Sequence, residues 1–195
     1  MKIVLASQNA GKIKEFKEIL SRFGIEVLSL KDIDFHDEII EDGTTFEENA
    51  VIKAKTIYNV VKIPVIADDS GICVDYLSGA PGIYSARYGG VETDTDRNLL
   101  LLKNMEGVTE RNAHFHCSLV LYLADNEYVH FKGIVEGVID HELTGGNGFG
   151  YDVLFIPDGY TETFGILPDE IKNKISHRAK AINQLVEYLE NDFNR

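Results

Sequence analysis

The order of its apolar segments constrains the fold of this chain more than any other feature. In the first 70 residues, short apolar runs at residues 3–6 and 65–67 alternate with helical patterns. Two longer β-type runs follow, at about residues 114–123 and 128–139, and turn residues at 125–126 separate them. Alternating strands and helices are typical of parallel pairing, whereas two runs joined by a short turn are typical of an antiparallel pair. The order therefore predicts an α/β fold with a mixed sheet.

Helical spacing of apolar residues predicts four helices. They cover residues 11–23, about 44–61 and 94–105, and a C-terminal stretch that begins near Ser176. In the first helix, the spacing places Glu15 on the solvent side. The second has a clear start, because Thr44 and Thr45 each precede a glutamate by three residues, the capping-box arrangement. Short strands are predicted at residues 26–29 and 153–156.

Composition excludes some classes of partner. The chain has 195 residues and a formal net charge of −13, so it offers no basic stripe for a nucleic-acid polymer. Its apolar runs are shorter than the ~18 residues of a membrane span. Cys73 and Cys117 lie in apolar stretches and are expected to be reduced thiols. The length over residues 1–195 is compatible with one domain or a single two-lobed unit. We expect a cytoplasmic location and no nucleic-acid or membrane partner.

A polar turn joins the first predicted strand to the first predicted helix. It consists of Ser7, Gln8, Asn9, Ala10, Gly11 and Lys12. The N-terminus of a helix presents backbone N–H groups and the positive end of its dipole, so phosphate is the candidate ligand. The turn is not a Walker A loop, because that motif needs GxxxxGK[ST] and here Lys12 precedes Ile13. A surface turn followed by a solvated lysine is the alternative interpretation.

Three acids could bind a hard cation beside such a phosphate. Asp68 and Asp69 follow the apolar run at residues 65–67, where we expect the strand to end, and Glu41 lies in an earlier acidic loop. Carboxylate oxygens are the protein ligands that Mg²⁺ takes next to substrate phosphates. Adjacent residues of a strand point to opposite faces, so we expect only one of Asp68 and Asp69 to face the site. An acidic turn at a strand end is the alternative.

Two further segments combine basic, aromatic and glycine residues. Lys172, His177 and Arg178 cluster at the predicted start of the last helix, where the helix dipole disfavours cations, which hints at a ligand or partner carboxylate. Phe149 follows three nearby glycines and could stack on a nucleobase. The alternatives are a basic surface patch for the first segment and an ordinary core ring for the second.

Six segments together resemble a known family. They are, in chain order, SQNAGK, EDGTTFEENA followed by Lys53, ADDSG, GAPGIYSARY, FGYD and KNKISHR. From residue 3 to the last helix, their order resembles the Ham1/RdgB family of non-canonical purine nucleoside triphosphate pyrophosphatases, also called inosine triphosphate pyrophosphatases. The resemblance implies Mg²⁺-dependent hydrolysis of XTP, ITP and dITP to the nucleoside monophosphate and pyrophosphate. It also implies a homodimer and an elongated mixed β-sheet flanked by helices, in two lobes with a central active-site cleft.

The resemblance implies roles for the polar turn and the acids. Asn9 and Lys12 would be the chief side-chain contacts of the triphosphate, and Lys12 would also neutralise charge that develops on the leaving pyrophosphate. Asp69 would be the catalytic acid–base residue and a ligand of Mg²⁺. Glu41 would be the second metal ligand, and two other acids of its loop are the alternatives, namely Asp37 and Glu38.

The resemblance assigns the remaining motif residues to the rest of the substrate. They are Lys53, Ser70, Phe149, Gly150, Tyr151, Asp152, Lys172, His177 and Arg178. The four residues from Phe149 would cover the base and ribose. The last three carry donors that suit the 6-oxo group of the purine, whereas the amino group of adenine would face them with another donor.

One departure from the family pattern is Val153, which follows FGYD where many members have proline. Because the acid before it is retained, we expect little loss of function. Three other activities are alternatives to the pyrophosphatase reaction. They are cleavage at the γ-phosphate, action on modified pyrimidine nucleotides as in the similar Maf family, and nucleotide binding without turnover.

Overall fold

The computed structural model describes residues 1–193, which contain six strands and five α-helices. The strands are β1 (Lys2–Leu5), β2 (Glu26–Leu28), β3 (Val65–Val74), β4 (Asn112–Ala124), β5 (Glu127–Ile139) and β6 (Phe155–Pro157). The α-helices are α1 (Ala10–Ser21), α2 (Phe46–Val61), α3 (Asp94–Asn104), α4 (Asp169–Ile175) and α5 (His177–Tyr188). Shorter segments are 3₁₀ at Lys31–Ile33, Asp75–Leu77 and Gly82–Gly90, and π-helical at Leu189–Phe193. Within the described range, no helix combines the length and the apolar character that crossing a bilayer requires.

The six strands form one mixed sheet in the order β2-β1-β3-β4-β5-β6. β1 pairs in parallel with β2 and β3, whereas β5 pairs antiparallel with β6. β4 and β5 are neighbours joined only by Asp125 and Asn126, a connection that fits an antiparallel hairpin. Asn126 has a φ of 61°, a left-handed conformation that asparagine tolerates in tight turns. The predicted α/β fold with a mixed sheet flanked by helices is confirmed.

The chain divides into two compact units. Unit 1 contains residues 1–69, 117–133 and the C-terminal segment from residue 178, and unit 2 contains Ser70–His116 and Ile134–His177. The long strands β3, β4 and β5 each contribute residues to both units. The single two-lobed domain with a central cleft stays a prediction.

In unit 1, β1 is buried on both of its faces. Ile3 and Leu5 lie in an apolar cluster with residues of α1 and α5. Val4 and Ala6 lie in a second cluster with residues of α2. Because side chains alternate along a strand, a strand covered on both faces is a continuous apolar run, as observed here. This packing fixes the end of β1, from which the polar turn at residues 7–12 begins.

Unit 2 has its own apolar cluster, to which the second half of β3, α3 and the segment after FGYD contribute. Ile72 and Leu101 belong to it, together with Tyr151 and Leu154. The rings of Phe115 and Phe155 in this cluster meet edge to face, with centroids 4.7 Å apart. The FGYD segment is therefore attached directly to the core of unit 2.

Two elements differ from the sequence-based prediction. β3 does not end before Asp68 but continues to Val74, because Ile72 and Val74 are fully buried and extend its apolar pattern beyond the acids. Lys172 does not lie at the start of the last helix but in α4, a separate helix whose N-cap is Pro168. Ser176, in an extended conformation, ends α4, and α5 then begins at His177, as predicted.

Candidate active site

The polar turn at residues 7–12 leads into the N-terminus of α1. The Asn9 side-chain oxygen accepts a hydrogen bond from the Lys12 backbone N–H at 3.0 Å, so Asn9 is the N-cap. The Ser7 hydroxyl accepts one from the Asn9 backbone N–H at 3.2 Å. Residues 8–10 are exposed. The positive end of the helix dipole is therefore accessible, as a phosphate site requires.

Lys12 contacts the first acid of the pair in β3. Its Nζ lies 3.0 Å from Asp68 Oδ2 and 3.4 Å from the Asp68 backbone oxygen. Arg178 donates to the same Asp68 Oδ2 from Nε and Nη2, both at 3.3 Å. Arg178 also donates to Glu15 through Nη1. Negative and positive charges therefore alternate along Glu15, Arg178, Asp68 and Lys12, and the last of these lies in the polar turn. We name these four residues the Lys12 row.

Arg178 is almost inaccessible, with 2% of its surface exposed. Burial alone would lower the pKa of its guanidinium, but the carboxylates of Glu15 and Asp68 raise the pKa above its ordinary value. Arg178 therefore keeps its charge. Lys172 and His177 are also buried, so the basic surface patch is excluded.

A second ionic group, which we name the Lys53 group, joins α2 to the acidic loop and to β3. Lys53 Nζ lies 2.8 Å from Glu41 Oε2 and 3.6 Å from Asp69 Oδ1. Asn49, one turn earlier on α2, donates to Asp69 Oδ2 at 3.1 Å. The Asn49 side-chain oxygen accepts from the Gly43 backbone N–H at 2.9 Å. Glu41 and Asp69 thus converge on one cation, whereas Asp68 contacts Lys12 and Arg178. That only one of Asp68 and Asp69 faces the site stays a prediction.

Burial and charge oppose each other in the Lys53 group. Burial raises the pKa of Asp69, and the cations Lys53 and Lys12 offset only part of that rise. Burial alone would lower the pKa of Lys53, but the neighbouring carboxylates, first of all Asp69, raise it above its ordinary value. The lysine is therefore charged. A carboxylate that is more basic than usual suits proton transfer near neutral pH.

The donor set of the Lys53 group suits Mg²⁺. This ion takes oxygen ligands and is usually held by one or two carboxylates together with waters and substrate phosphates. Glu41 and Asp69 supply two carboxylates that face one positive charge, the Lys53 ammonium. Within residues 1–193, no group of three or more histidine, cysteine, aspartate or glutamate side chains could hold a metal ion. A cation here would take its other ligands from water and substrate.

In unit 2, Lys172 of α4 is buried against an acid and two rings. Its Nζ lies 2.5 Å from Asp152 Oδ2, 4.7 Å from the Phe149 ring centroid and 6.0 Å from that of Phe164. Asp152 Oδ2 also accepts from the Phe149 backbone N–H at 2.8 Å. Gly148 has a φ of 75°, and a Cβ there would lie 2.1 Å from the same oxygen. Phe149 is only partly buried, unlike a core ring.

The other predicted contact residues of unit 2 are attached to its core. The Tyr151 hydroxyl donates to the Ser85 backbone oxygen at 2.8 Å. The His177 ring stacks on Phe115, with centroids 4.7 Å apart and 10° between the ring planes. Ser70 is half-buried in β3. The arrangement fixes the positions of Tyr151 and His177.

Residues that are close in sequence have different partners, and residues that are distant in sequence contact each other. Lys172 contacts Asp152, whereas Arg178 contacts Asp68 and Glu15. The prediction that Glu15 faces solvent is wrong, because the guanidinium of Arg178 draws its carboxylate into a buried pair.

Asn49 is a further residue that the sequence analysis missed. A signal was present, because asparagine is a poor residue for a helix interior and usually serves at caps and turns. Here the interior asparagine is buried and binds Asp69 and the Gly43 backbone.

The fold and the site together define a class: mixed α/β proteins with an accessible helix N-terminus, carboxylates paired on buried lysines, and a lysine set against an aromatic ring. This chain belongs to the Ham1 family, whose family model matches residues 3–188. The resemblance drawn from the six motifs is confirmed.

Relatives of known name and structure cover almost the whole chain. It is 51% identical over 187 residues to the dITP/XTP pyrophosphatase of Listeria monocytogenes, covering 94% of this chain and 92% of the relative. It is 45% identical over 190 residues to the protein of the same name from Bacillus subtilis, covering 96% of each. The Staphylococcus aureus Ham1 protein structure matches with a TM-score of 0.87 and 40% identity, covering 98% of this chain and 100% of that one. A Coxiella burnetii HAM1 protein structure matches with a TM-score of 0.88 and 38% identity, covering 97% and 98%.

Proposed function

We propose that this chain hydrolyses dITP, XTP and ITP to the nucleoside monophosphate and pyrophosphate, which removes non-canonical purine nucleotides from the pool. The observation that carries the proposal is the convergence of Glu41 and Asp69 on Lys53, in the same unit as the Lys12 row. The names of the Listeria monocytogenes and Bacillus subtilis relatives support the substrate class.

The polar turn would bind the triphosphate. The N-terminus of α1 and the Lys12 ammonium supply positive charge, and Asp68 holds that ammonium in place. When water attacks the α-phosphorus, pyrophosphate leaves and negative charge develops on the bridging oxygen. A preorganised ammonium stabilises this charge without a large rearrangement. The bond that breaks is then the α–β linkage.

Asp69 would orient and deprotonate the attacking water. Asn49 and Lys53 each contact one of its two carboxylate oxygens, which fixes the orientation of the group. Burial raises its pKa, so it is a stronger base than an exposed aspartate. General-base action and precise orientation are both consistent with these contacts.

We infer that hydrolysis requires Mg²⁺, with Glu41 and Asp69 as its protein ligands. When bound, the ion supplies positive charge to the phosphate oxygens. Glu41 is half-buried and contacts Lys53, whereas Asp37 and Glu38 are exposed, which supports Glu41 among the three acids of this loop. Removal of Mg²⁺ with a chelator should stop turnover, and added Mg²⁺ should restore it.

Lys172 and Phe149 would recognise the base. The ring offers a surface for stacking, and the ammonium beside it is a donor for a 6-oxo group. Adenine would present its amino group to that donor, which leaves both groups without an acceptor. His177 and Arg178 are predicted to share this role, although the contacts of Arg178 with two carboxylates support a role in holding the Lys12 row.

We propose a homodimer located in the cytoplasm. Cys73 and Cys117 are buried and not joined in a disulfide, which suits a reducing compartment. Burial raises the pKa of the Cys73 thiol to about 11, so this thiol is protonated at neutral pH.

Light scattering on the purified chain should give twice the chain mass, and the mass of a single chain would reject the dimer.

Product identification tests the proposed reaction. The purified chain is incubated with Mg²⁺ and, separately, with dITP, XTP, ITP, ATP and GTP, and the products are resolved by phosphorus NMR. We expect monophosphate and pyrophosphate from the first three nucleotides, with much lower rates for ATP and GTP.

Each alternative has its own outcome in that assay. Orthophosphate in place of pyrophosphate would indicate γ-phosphate cleavage and reject the proposal. Equal rates on ATP and ITP would reject the substrate class. Turnover confined to modified pyrimidine nucleotides, when these are added to the set of substrates, would indicate a Maf-like activity. Binding of nucleotide in a separate titration, without any product, would indicate a sensor.

A further inference from the structure

We infer that the N-terminal part of α3 positions the segment Phe149–Asp152 through two side chains, Asp94 and Asn98, and thereby controls how firmly the purine is held. The inference rests on the proposed function. It concerns unit 2 alone, to which α3 and this segment both belong.

Both polar backbone groups of Gly150 are bound by α3. The Gly150 N–H donates to Asp94 Oδ2 at 2.8 Å, and the Gly150 carbonyl oxygen accepts from Asn98 Nδ2 at 2.8 Å. Asp94 and Asn98 are one helical turn apart, so their side chains lie on the same face of α3. The glycine is thus held by two points of one rigid element.

Asp94 is itself held in the orientation that this contact requires. Its Oδ1 lies 2.6 Å from Arg97 Nη2, which leaves Oδ2 to accept from Gly150. Arg97 Nη1 donates to the backbone oxygens of Val91 and Glu92 just before the helix. The carboxylate therefore has a separate partner for each oxygen.

Asn98 has a single amide orientation. Its Nδ2 donates to two backbone oxygens, those of Asp94 and Gly150, so its side-chain oxygen cannot take that place. Asn98 is 2% exposed, and its Oδ1 has no hydrogen-bond partner among residues 1–193. A buried acceptor without a partner is unfavourable. A side chain kept at that cost points to a role, and the contact of Asn98 with Gly150 supplies one.

Gly150 connects the two halves of the segment. On one side, the Phe149 ring lies against Lys172 Nζ, and the Phe149 N–H donates to Asp152. On the other side, Tyr151 is tied to Ser85 and the core. Loss of the α3 contacts would leave the Tyr151 side fixed and loosen the Phe149 side. The aromatic ring and its lysine would then be less well placed for the base.

Kinetics of α3 variants test the inference. We expect Asn98→Ala to raise KM for dITP about fivefold to tenfold, to change kcat less than twofold, and to reduce the preference for ITP over ATP. Asp94→Ala should behave similarly. Asp94→Asn has one acceptor oxygen where Asp94 uses two, one for Arg97 and one for the Gly150 N–H, so its KM should lie between those of Asp94→Ala and the wild-type protein. Leu99→Ala, which alters an exposed side chain on the same helix, is the matched control.

Hydrogen exchange gives a readout that does not depend on activity. The Gly150 amide should exchange faster in Asp94→Ala, and in Asn98→Ala through loosening of the segment, but not in Leu99→Ala. Faster exchange with unchanged KM and selectivity would overturn the inference, and so would an equal fall of kcat on every substrate with unchanged KM. If the wild-type protein released no pyrophosphate from dITP, the proposed function would fail. The exchange data would still report whether α3 holds Gly150.

Discussion

The site lysines of the two units, Lys12 and Lys53 in unit 1 and Lys172 in unit 2, have different surroundings. Lys12 and Lys53 face carboxylates that are themselves shared with further groups, such as Asp68 with Arg178 and Asp69 with Asn49. Lys172 contacts the carboxylate of Asp152, and its ammonium lies near the rings of Phe149 and Phe164.

This difference matches two kinds of ligand chemistry. A set of fixed opposite charges can accept a polyanion and a cation without large rearrangement, because the protein groups are already oriented. A lysine against rings offers one donor and a flat apolar surface, which suits a heterocycle with a carbonyl group. The variants below should therefore affect chemistry and stability in unit 1 and selectivity in unit 2.

The largest effect is expected for Asp69→Asn. The amide keeps the shape of the side chain but cannot accept a proton, and it is a poorer cation ligand, so kcat should fall about 10³-fold or more. Circular dichroism should show a folded protein. Asp75→Asn, which alters an exposed acid just after β3, should leave kcat unchanged. Appreciable residual activity would remove Asp69 from its proposed role.

Arg178→Met should have the largest effect on stability. Removing the guanidinium takes a buried cation away from Glu15 and Asp68, and loss of one partner from a buried ion pair costs about 3–5 kcal/mol of the free energy of unfolding. The double variant Arg178→Met with Glu15→Met should recover part of this loss, since it removes the uncompensated charge. Urea titrations measure both values, and Lys180→Met, an exposed position on α5, is the control.

An additional readout separates the two roles of Arg178. If Arg178→Met stays folded and loses the preference for ITP over ATP at unchanged stability, the predicted role in reading the base is supported and the positioning role is rejected. A loss of stability with an unchanged preference for ITP over ATP supports the role of Arg178 in holding the Lys12 row.

Local sequence patterns predicted the elements that depend on neighbouring residues. The alternation of β1 and α1, the turn at residues 125–126 and the start of α5 follow from short-range periodicity and turn chemistry. The extension of β3 past Asp69 did not, because DDSG has turn composition and only tertiary burial makes it a strand. Local preference was overridden there by packing.

Residue types at the site were predictable, whereas their partners were not. Lys12 and Asp69 stand in motifs that local spacing and family resemblance identify. Glu15 and Arg178 are 163 positions apart, and no periodicity relates them. The interior asparagine of α2 was a local anomaly, but its partner Asp69 lies 20 positions away on another element. Pairing across such separations is decided by the folded chain.

A smaller effect is expected for Glu41→Gln. This change keeps a contact with Lys53 but removes one charge from the proposed metal ligands, so the Mg²⁺ concentration for half-maximal activity should rise about tenfold. Asp37→Asn and Glu38→Gln alter exposed acids of the same loop and should leave it unchanged. If this Mg²⁺ concentration rose in one of those two variants but not in Glu41→Gln, that residue would be the metal ligand in place of Glu41.

The smallest effect is expected for Lys172→Ala, and it should fall on selectivity. The variant removes the donor proposed for the 6-oxo group, so KM for ITP should rise severalfold, by about 1 kcal/mol of binding free energy, while ATP is affected less. Asp152 would lose its cation, so a melting curve must accompany the kinetics. Lys174→Ala, on the exposed side of the same helix, is the matched control and should change neither quantity. If ITP and ATP lost the same factor, Lys172 would be a structural partner of Asp152, and the contrast between charge-rich unit 1 and base-reading unit 2 would not hold.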